Sequence, residues 1–416
     1  MCSSAFVSLG RTQALALGFS NLPIAVVPHP FGRLTRDELR KLAAQCAEDI
    51  ARLACEAAIP AALTHAGSAT RASKVEIVDD LDAVNRFFRE RRWGDGLPIV
   101  PPVSGRVERM LACTPRAADE VIAAIAPGFG AATIERIAIN AVMAGCDPEY
   151  LPVLIAAAEA VAAPEFNLQA IQTTTNPTGV GIIVNGPIAR RLNMNSGINA
   201  LGQGNWANAT LGRALRLILQ NIGRALPGDM DRSTLGHPGK YLFCCAENEE
   251  QNPWEPLHVE RGFRPEQSAV TVIAAEGSLN MNTYSKNADE LLRLFAETLP
   301  RPTGNDYWHG GDPWIFLSPE HAEVLKTAGM SKAEVKRRLW MESKIPARRM
   351  GVTDLQRTQN RRRIELGAIS PDTMLPICPA PERFGIIVAG GPGTHSMYIP
   401  SYGPIRSVTR EVIWSA

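Results

Sequence analysis

The chain alternates short apolar runs of strand length with longer segments of helical periodicity. Near the N-terminus, the apolar run 22–27 is stopped by Pro-His-Pro at 28–30. Thr35 and Glu38 then have the spacing of a capping box, which predicts a helix that continues to about Ala58. A strand followed by a helix predicts that this region is the end of a small α/β unit.

A composition change separates this unit from the rest of the chain. Residues 63–74, LTHAGSATRASK, are small and polar, which is typical of a linker. The sequence therefore predicts an incomplete small α/β domain at 1–62, a linker at 63–74 and a large α/β domain at 75–416.

Helices and buried strands alternate through the large predicted domain. Helical patterns are found at Leu81–Arg92, Thr133–Gly145 and Pro148–Ala163. Apolar runs predict strands at Ile182–Asn185, Tyr241–Cys245, Val270–Ala275, Trp314–Leu317 and Phe384–Ala389. Strands placed between helices favour an α/β fold in which helices cover a mixed sheet.

Three short echoes indicate repeated α/β units. Residues 132–136 resemble 209–213, and 181–184 resemble 385–388. Ile315-Phe-Leu leads through Ser-Pro into a helical segment whose Ala322 and Leu325 are spaced like Ala189 and Leu192. Matches of four apolar letters also arise by chance, so internal duplication and coincidence both stay open.

Composition narrows the class of protein. Of 416 residues, 45% are hydrophobic and 20% charged, and 43 Lys plus Arg against 42 Asp plus Glu give a net charge of +1. This balance argues against nucleic acid as the main partner. The most apolar stretch, Leu151–Ala163, is too short to span a bilayer, so no membrane association and a cytoplasmic location are expected. The 8 cysteines are scattered without a CxxC pair, which predicts reduced thiols.

The N-terminal strings carry a family resemblance. Residues 22–32, LPIAVVPHPFG, preceded by CSSAF at 2–6 and ALALG at 14–18, resemble the end of the small domain of the UGSC-motif (seleno)protein family. That family is named for a Sec-Gly-Ser-Cys redox motif. Five further stretches resemble the large domain that follows in its longer members, at 95–111, 139–153, 253–263, 318–340 and 388–403.

The resemblance implies thiol or selenol redox chemistry, but the motif itself does not occur in this sequence. Cys2 is followed by two serines and does not replace it. We therefore expect the redox group to come from an upstream segment or from another polypeptide, so that the chain forms a hetero-oligomer with a redox-motif subunit or else a homo-oligomer.

The densest polar cluster follows the predicted strand 241–245, where α/β proteins often place their sites. Carboxylates and an imidazole there are suited to general acid and base catalysis, and the preceding thiol to nucleophilic attack. The candidate catalytic residues are His258, Glu247, Glu250, Glu260 and Cys244. A divalent metal held by His258 and these carboxylates is an open alternative, as is a solvated acidic loop.

Two further clusters are suited to substrate binding. Amides and hydroxyls offer directional hydrogen bonds, and glycines let the backbone approach a ligand. The candidates are Thr175, Asn176, Asn185, Asn195, Ser196, Asn199, Lys240 and Arg261, together with Gly390, Gly391, Gly393, Thr394, His395 and Ser396 in a Gly-rich turn. This turn lacks both the P-loop and the GxGxxG spacing, so no nucleotide cofactor is expected.

The sequence as a whole predicts an enzyme that acts on a small polar or anionic metabolite. The resemblance implies redox chemistry, whereas the chain's own residues suit a lyase or hydrolase that cleaves a carbon–heteroatom bond by acid and base catalysis. A non-catalytic scaffold subunit of a redox complex and a metabolite-binding module are the alternatives.

Overall fold

A computed structural model describes residues 1–56 and 72–414 of the chain. The predicted end of the first helix at about Ala58 and most of the predicted linker, 63–74, lie outside the described residues.

The strands and helices alternate along the described chain, which confirms the α/β class. The strands are β1 (Cys2–Ser3), β2 (Val26–Val27), β3 (Val121–Ile125), β4 (Gly130–Thr133), β5 (Gly179–Asn185), β6 (Cys244–Ala246), β7 (Ala269–Ala275), β8 (Leu279–Asn282), β9 (Trp314–Leu317), β10 (Ile345–Pro346), β11 (Met374–Leu375), β12 (Gly385–Val388), β13 (His395–Ile399) and β14 (Val408–Glu411). The helices are α1 (Val7–Ala16), α2 (Arg36–Glu56), α3 (Leu81–Glu90), α4 (Ser104–Leu111), α5 (Ile134–Ala144), α6 (Leu151–Ala162), α7 (Leu168–Thr173), α8 (Pro187–Arg191), α9 (Trp206–Asn221), α10 (Leu257–Glu260), α11 (Ala288–Thr298), α12 (Asn305–His309), α13 (Pro319–Thr327), α14 (Lys332–Glu342), α15 (Val352–Arg361) and α16 (Arg363–Leu366).

The predicted N-terminal strand and helix are present. β1 and β2 form a two-stranded parallel sheet, with Cys2 opposite Val26. The Thr35 hydroxyl accepts from the Glu38 backbone N–H at 3.4 Å, and the Glu38 carboxylate accepts from the Thr35 backbone N–H at 2.7 Å. This reciprocal capping box opens α2 as its spacing predicted.

Two four-stranded sheets form the centre of the larger part. One has the order β6-β5-β7-β14 and the other β12-β9-β13-β8. In the first, β6 runs parallel to β5, and β7 antiparallel. The predicted strand at 241–245 is shorter and shifted, because a 3₁₀ turn at Pro238–Lys240 precedes it and pairing with β5 begins only at Cys244.

The two sheets pack face to face, with helices on both outer faces. Along β5, Ile182 and Val184 belong to a hydrophobic cluster with α5, α6 and α9, whereas Ile183 belongs to a cluster with Trp314 and Phe316 of the second sheet. Ile315 and Leu317 of β9 point the other way, into a cluster with α11, α13 and α14. Alternate side chains of one strand thus face different layers, and the result is a four-layer αββα arrangement.

The two sheets share one pattern of strand directions. In each, two parallel neighbours are followed by an antiparallel strand and then by an edge strand parallel to the first pair. The chain fills the first pattern with β5, β6 and β7 and the second with β9, β12 and β13. The fourth strand of each sheet comes from another part of the chain. The last strand, β14, pairs with β7 of the first sheet, and β8, which follows β7 in the chain, pairs with β13 of the second sheet.

This correspondence bears on the sequence echoes. The match between Ala189 with Leu192 and Ala322 with Leu325 joins α8 to α13, which follow the corresponding strands β5 and β9. The match of 181–184 with 385–388 joins β5 to β12, which do not correspond. Internal duplication stays a prediction. One of the sequence echoes, between α8 and α13, joins elements at corresponding positions of the two sheets.

The most apolar helix belongs to the core. Within the described ranges, no single helix is long and apolar enough to cross a membrane. Two successive segments, Pro148–Ala162 and Pro164–Thr173, pass the test only as a pair bent by 72°. Most of α6 is buried, and it packs against β7 and β14.

Candidate functional site

The sheets present polar side chains at two opposite edges. We call the edge at the ends of β5, β6, β9 and β12 the upper edge (Asn185, Glu247, Ser318 and Ala389). We call the opposite one the lower edge (Thr178, Glu276, Asp306 and Ser401). A seven-residue strand such as β5 spans about 20 Å. The predicted binding residues are therefore divided between two separate places.

At the upper edge, the acidic segment, the Asn-rich segment and the Gly-rich turn lie side by side. The Ala246 backbone N–H donates to the Asn195 carbonyl at 3.3 Å, and the Asn248 N–H donates to Val388 at 2.8 Å. The Gly390 N–H donates to the Ser196 carbonyl at 2.8 Å. Three clusters distant in sequence thus form one surface.

Glu247 is buried beneath this surface and holds it together. Its carboxylate accepts hydrogen bonds from the Leu257 backbone N–H at 2.7 Å, from Asn185 Nδ2 at 2.6 Å and from Asn252 Nδ2 at 2.8 Å. Burial raises the pKa of Glu247 to about 7. Its oxygens are occupied by the protein's own donors, so its visible role is to shape the loop.

His258 lies beside the second carboxylate of this loop, that of Glu249. The ring is fully buried, with Nε2 3.4 Å from the Pro265 carbonyl and Nδ1 3.8 Å from Glu249 Oε1. Glu249 Oε1 also accepts from the Gly186 backbone N–H at 2.6 Å. His258 Nδ1 and Asn185 Oδ1 have no hydrogen-bond partner within residues 1–56 and 72–414.

The remaining charged candidates of this segment have different surroundings. Glu260 forms ion pairs with Lys332, at 3.0 Å, and with Lys336, which joins α10 to α14. Arg261 donates to Ser407 Oγ at 2.8 Å. Glu250 is exposed and lines a cleft of about 440 Å³ together with Glu320, Glu323 and Pro392, among other residues.

The two adjacent cysteines are enclosed on opposite faces of β6. Cys244 belongs to the cluster on the helix side, and Cys245 to the cluster between the sheets. Burial raises the pKa of Cys244 well above its ordinary value and that of Cys245 to about 12. Both thiols are therefore neutral at physiological pH, a state that does not favour nucleophilic attack.

Most of the polar groups in the Asn-rich segment and the Gly-rich turn form hydrogen bonds with other groups of the same chain. Asn195 Oδ1 accepts from the Gly197 N–H at 2.9 Å, and Asn199 Nδ2 donates to the Gln203 carbonyl at 2.8 Å. The Gly393 N–H donates to the Glu320 carboxylate at 2.6 Å. Similar internal bonds are made by Thr394 to Asn282, His395 to Asn280 and Ser396 to His321. In the turn, a Cβ at Gly391 would lie 2.2 Å from Ile198 Cγ1.

The lower edge contains a carboxylate that sequence reasoning missed. Glu276 follows β7, and its Oε1 accepts from Asn305 Nδ2 at 2.6 Å and from Thr178 Oγ1 at 3.4 Å. Asn305 Nδ2 also lies 2.8 Å from Asn176 Oδ1. Burial, assisted by the nearby charge of Asp306, raises the pKa of Glu276 to about 8.

Asp306 is the buried partner of Glu276. It is 1% exposed, accepts from the Tyr398 hydroxyl and accepts from the Ser401 backbone N–H at 3.0 Å. Burial raises its pKa to about 6. Two neighbouring carboxyl groups with raised pKa values are a frequent feature of active sites.

A cationic side chain, that of Arg301, lies beside these carboxyls. Arg301 Nη2 lies 3.8 Å from Asp306 Oδ2, and its guanidinium lies 5.0 Å from the centre of the Tyr398 ring. Arg301 Nε is buried and has no hydrogen-bond partner in the described part of the chain. Of the predicted residues, Asn176 lies at this edge through its contact with Asn305, and Thr175 precedes it in the chain. Lys240, which pairs with Asp231 at 2.7 Å, lies beside Gly179 at the start of β5.

Glu276 carried a signal in the sequence. It directly follows the apolar run 269–275, as Glu247 follows the run before it. Its partners Asn305 and Asp306 carried none, because they precede their strand, β9, in the chain.

The described chain has no group of three or more His, Cys, Asp or Glu side chains placed to hold a metal ion. The metal alternative therefore has no support from this geometry.

Comparison with known families identifies only the N-terminal part. The UGSC family matches residues 1–56, which confirms the resemblance for this segment. For the larger part the resemblance stays a prediction. No curated protein and no solved structure matches the chain.

Proposed function

We propose that the chain is an enzyme that transfers protons to and from a small polar or anionic metabolite at the lower edge, with Glu276 as the acid and base. The observation that carries this proposal is the Glu276 carboxyl, which is held by Asn305 beside the buried Asp306. Glu276 itself is partly accessible to solvent, whereas Asp306 is enclosed.

The pKa of Glu276 suits this role. At about 8 it leaves the carboxyl mostly protonated at neutral pH while keeping the carboxylate accessible. Proton transfer is most efficient when the pKa of the catalytic group is near the working pH. An ordinary surface glutamate is almost fully ionised there and cannot donate a proton.

A balanced reaction of this kind is an elimination. The Glu276 carboxylate removes a proton from carbon, and the carbon–heteroatom bond breaks with its electron pair on the heteroatom. The same carboxyl, now protonated, donates this proton to the heteroatom and returns to the carboxylate, so one group serves as base and then as acid. No oxidant or reductant is needed.

Asp306 and Asn305 act through Glu276. The negative charge of Asp306 disfavours a second negative charge nearby and so raises the pKa of Glu276. Asn305 fixes one carboxyl oxygen, Oε1, with its amide. This leaves Oε2 as the oxygen to exchange a proton with a substrate.

The thiol or selenol redox chemistry implied by the UGSC family is the second candidate. Its support is the family match over residues 1–56 and the position of that segment. Gln169 of α7 donates to Gln13 of α1 at 2.5 Å, one helical turn before Thr173 and the start of the lower edge. A redox group carried by a small domain at this position would approach the same edge.

Hydrogen–deuterium exchange tests the proton-transfer proposal without knowledge of the substrate. The full chain is incubated in D₂O with a mixture of small carboxylates and phosphorylated metabolites, and mass spectrometry detects deuterium incorporation or new products. We expect activity with the wild type and a loss of about 100-fold or more in Glu276→Gln. Glu297→Gln, in an exposed ion pair with Arg293, is the matched control.

An active Glu276→Gln variant would overturn the role of Glu276. Absence of turnover in the wild type, with metabolites bound, would favour the binding-module alternative. Native mass spectrometry of the chain from its host tests the redox and scaffold alternatives, which require a stoichiometric second polypeptide.

A further inference from the structure

Buried hydrogen-bond donors without partners collect beside the lower edge. Gln172 Nε2, Arg216 Nε and Arg232 Nε are buried, and each lacks an acceptor among the residues that the structure describes. Gln172 itself is 2% exposed. A buried donor without an acceptor destabilises the fold, so several such donors on neighbouring segments indicate a ligand that supplies acceptors.

The donors belong to elements that meet at the start of β5. Arg216 of α9 donates through Nη2 to Gln172 Oε1 of α7 at 3.0 Å. The segment that carries Arg232 runs beside residues 175–176: the Thr234 N–H donates to the Thr175 carbonyl at 2.9 Å, and Ser233 Oγ to the Asn176 carbonyl at 2.6 Å.

The carboxylates near these arginines already have partners. Asp231 Oδ2 accepts from Lys240 at 2.7 Å and Oδ1 from the Ser233 N–H at 3.0 Å. Asp95 accepts from Arg213 through both oxygens, at 2.7 and 2.9 Å. Across residues 1–56 and 72–414, Arg216 and Arg232 have no carboxylate within ion-pair distance.

Positive charge is therefore in excess here. Four cations, Arg213, Arg216, Arg232 and Lys240, accompany the two carboxylates of Asp95 and Asp231. Burial lowers the pKa of Arg216 and of Lys240, and their mutual repulsion contributes to the shift at Lys240. A bound anion would relieve both the repulsion and the missing acceptors.

We propose that Gln172, Arg216 and Arg232 form a binding pocket for the oxyanion group, phosphate or carboxylate, of an anionic metabolite. Asn176 links this pocket to Glu276, because its carbonyl accepts from Ser233 and its side chain from Asn305. The assignment of the anion to a substrate rests on the proposed function, whereas binding itself does not.

Isothermal titration calorimetry of the full chain tests the pocket, with inorganic phosphate and acetate as separate probes in a chloride buffer of matched ionic strength. We expect one of the two probes to bind, and its Kd to rise about tenfold or more in Arg216→Gln and in Arg232→Gln. Arg264→Gln, in an exposed ion pair with Glu266, is the matched control and should bind like the wild type.

The choice of probe distinguishes a phosphate from a carboxylate pocket. Failure of both probes to bind, or equal affinity in the wild type and both arginine variants, would overturn the proposal. Circular dichroism checks that each variant is folded. If Arg216→Gln unfolds, the Kd of the probe is measured instead in Gln172→Leu and Arg232→Lys, which change the donors with less disturbance of charge.

The same titration separates this proposal from the acid and base role. Glu276→Gln should bind the probe like the wild type. Binding without any effect of Glu276→Gln on turnover would remove only the proposed function, and loss of deuterium exchange in Glu276→Gln without anion binding would remove only the pocket.

Discussion

Asn305 donates a hydrogen bond to Glu276 at 2.6 Å, and this contact joins the two halves of the sandwich. Glu276 directly follows β7 of the first sheet, and Asn305 begins α12, the helix that leads into the second sheet. The Glu276 backbone N–H also donates to the Pro400 carbonyl at 2.9 Å, beyond β13 of the second sheet. The candidate acid and base is thus anchored to both sheets.

The raised pKa of Glu276 predicts a pH-dependent stability. Its pKa is about 8 in the fold and 4.5 ordinarily, so the native state binds the proton more tightly than the unfolded state. The resulting stability is complete below about pH 4.5 and is lost as the pH rises through about 8.

Glu276→Gln cannot ionise, so its stability relative to the wild type should increase between pH 5 and 8. Urea unfolding across this range measures the difference, with Glu297→Gln as the control that should show a flat difference. A flat difference for Glu276→Gln would contradict the burial of this carboxyl.

Glu260→Gln tests whether this residue is catalytic or structural. Although burial acts to raise its pKa, Lys332 and Lys336 hold the pKa of Glu260 below its ordinary value. The variant leaves two lysines that are 7% and 9% exposed without their carboxylate, so we expect a loss of about 3 kcal/mol in the free energy of unfolding.

Glu266→Gln removes the carboxylate of an exposed pair and is the matched control, which should leave the free energy of unfolding nearly unchanged. Turnover of folded Glu260→Gln should equal that of the wild type in the exchange assay. Unchanged stability with lost turnover would instead assign Glu260 to catalysis, as its sequence position suggested.

Cysteine reactivity distinguishes enclosed from accessible thiols. Cys46, Cys146, Cys244, Cys245 and Cys378 are buried, and Cys55 is exposed. We expect iodoacetamide to modify Cys55 in the native chain and to leave Cys244 and Cys245 unmodified until denaturant is added. Peptide mass spectrometry locates the label. Rapid labelling of Cys244 in the native chain would contradict its burial and would support a role as nucleophile.

Gly186 adjoins Asn185 and the Glu249 carboxylate in a conformation that needs glycine. Its φ is +83°, and an added Cβ would lie 2.2 Å from the Gln267 carbonyl oxygen. Gly186→Ala should therefore lower the free energy of unfolding by more than the about 1–3 kcal/mol that a strained backbone conformation costs by itself, because the clash adds to it.

Gly228 provides the comparison, because its φ is +79° but no atom of the described residues lies within 4 Å of an added Cβ. Gly228→Ala isolates the backbone cost, and the difference between the two variants in urea unfolding is the steric part. Equal losses would show that the chain around Gly186 moves aside.

Local patterns were enough for the elements. The Thr35 and Glu38 spacing produced the capping box, and the apolar runs at Ile182, Val270 and Trp314 became β5, β7 and β9. These features depend on residues that are close in sequence, through capping hydrogen bonds and strand propensity. The amino-acid sequence alone is therefore sufficient to predict them.

The candidate site depended on packing between distant segments. The sequence placed Asn176 and Asn185 in one binding cluster, but β5 separates them along its length. It also grouped Glu247 with Glu260, but Glu260 forms ion pairs with Lys332 and Lys336 of α14.

The sequence by itself determined the α/β class, the capped helices and the apolar strands, because each follows from contacts within a few residues. Only the tertiary structure decided that the described chain forms two four-stranded sheets, that β14 joins the first of them and β8 the second, and that Glu276 meets Asn305 and Asp306. Pairing between strands far apart in the chain is selected by burial of the whole core, which no local pattern contains.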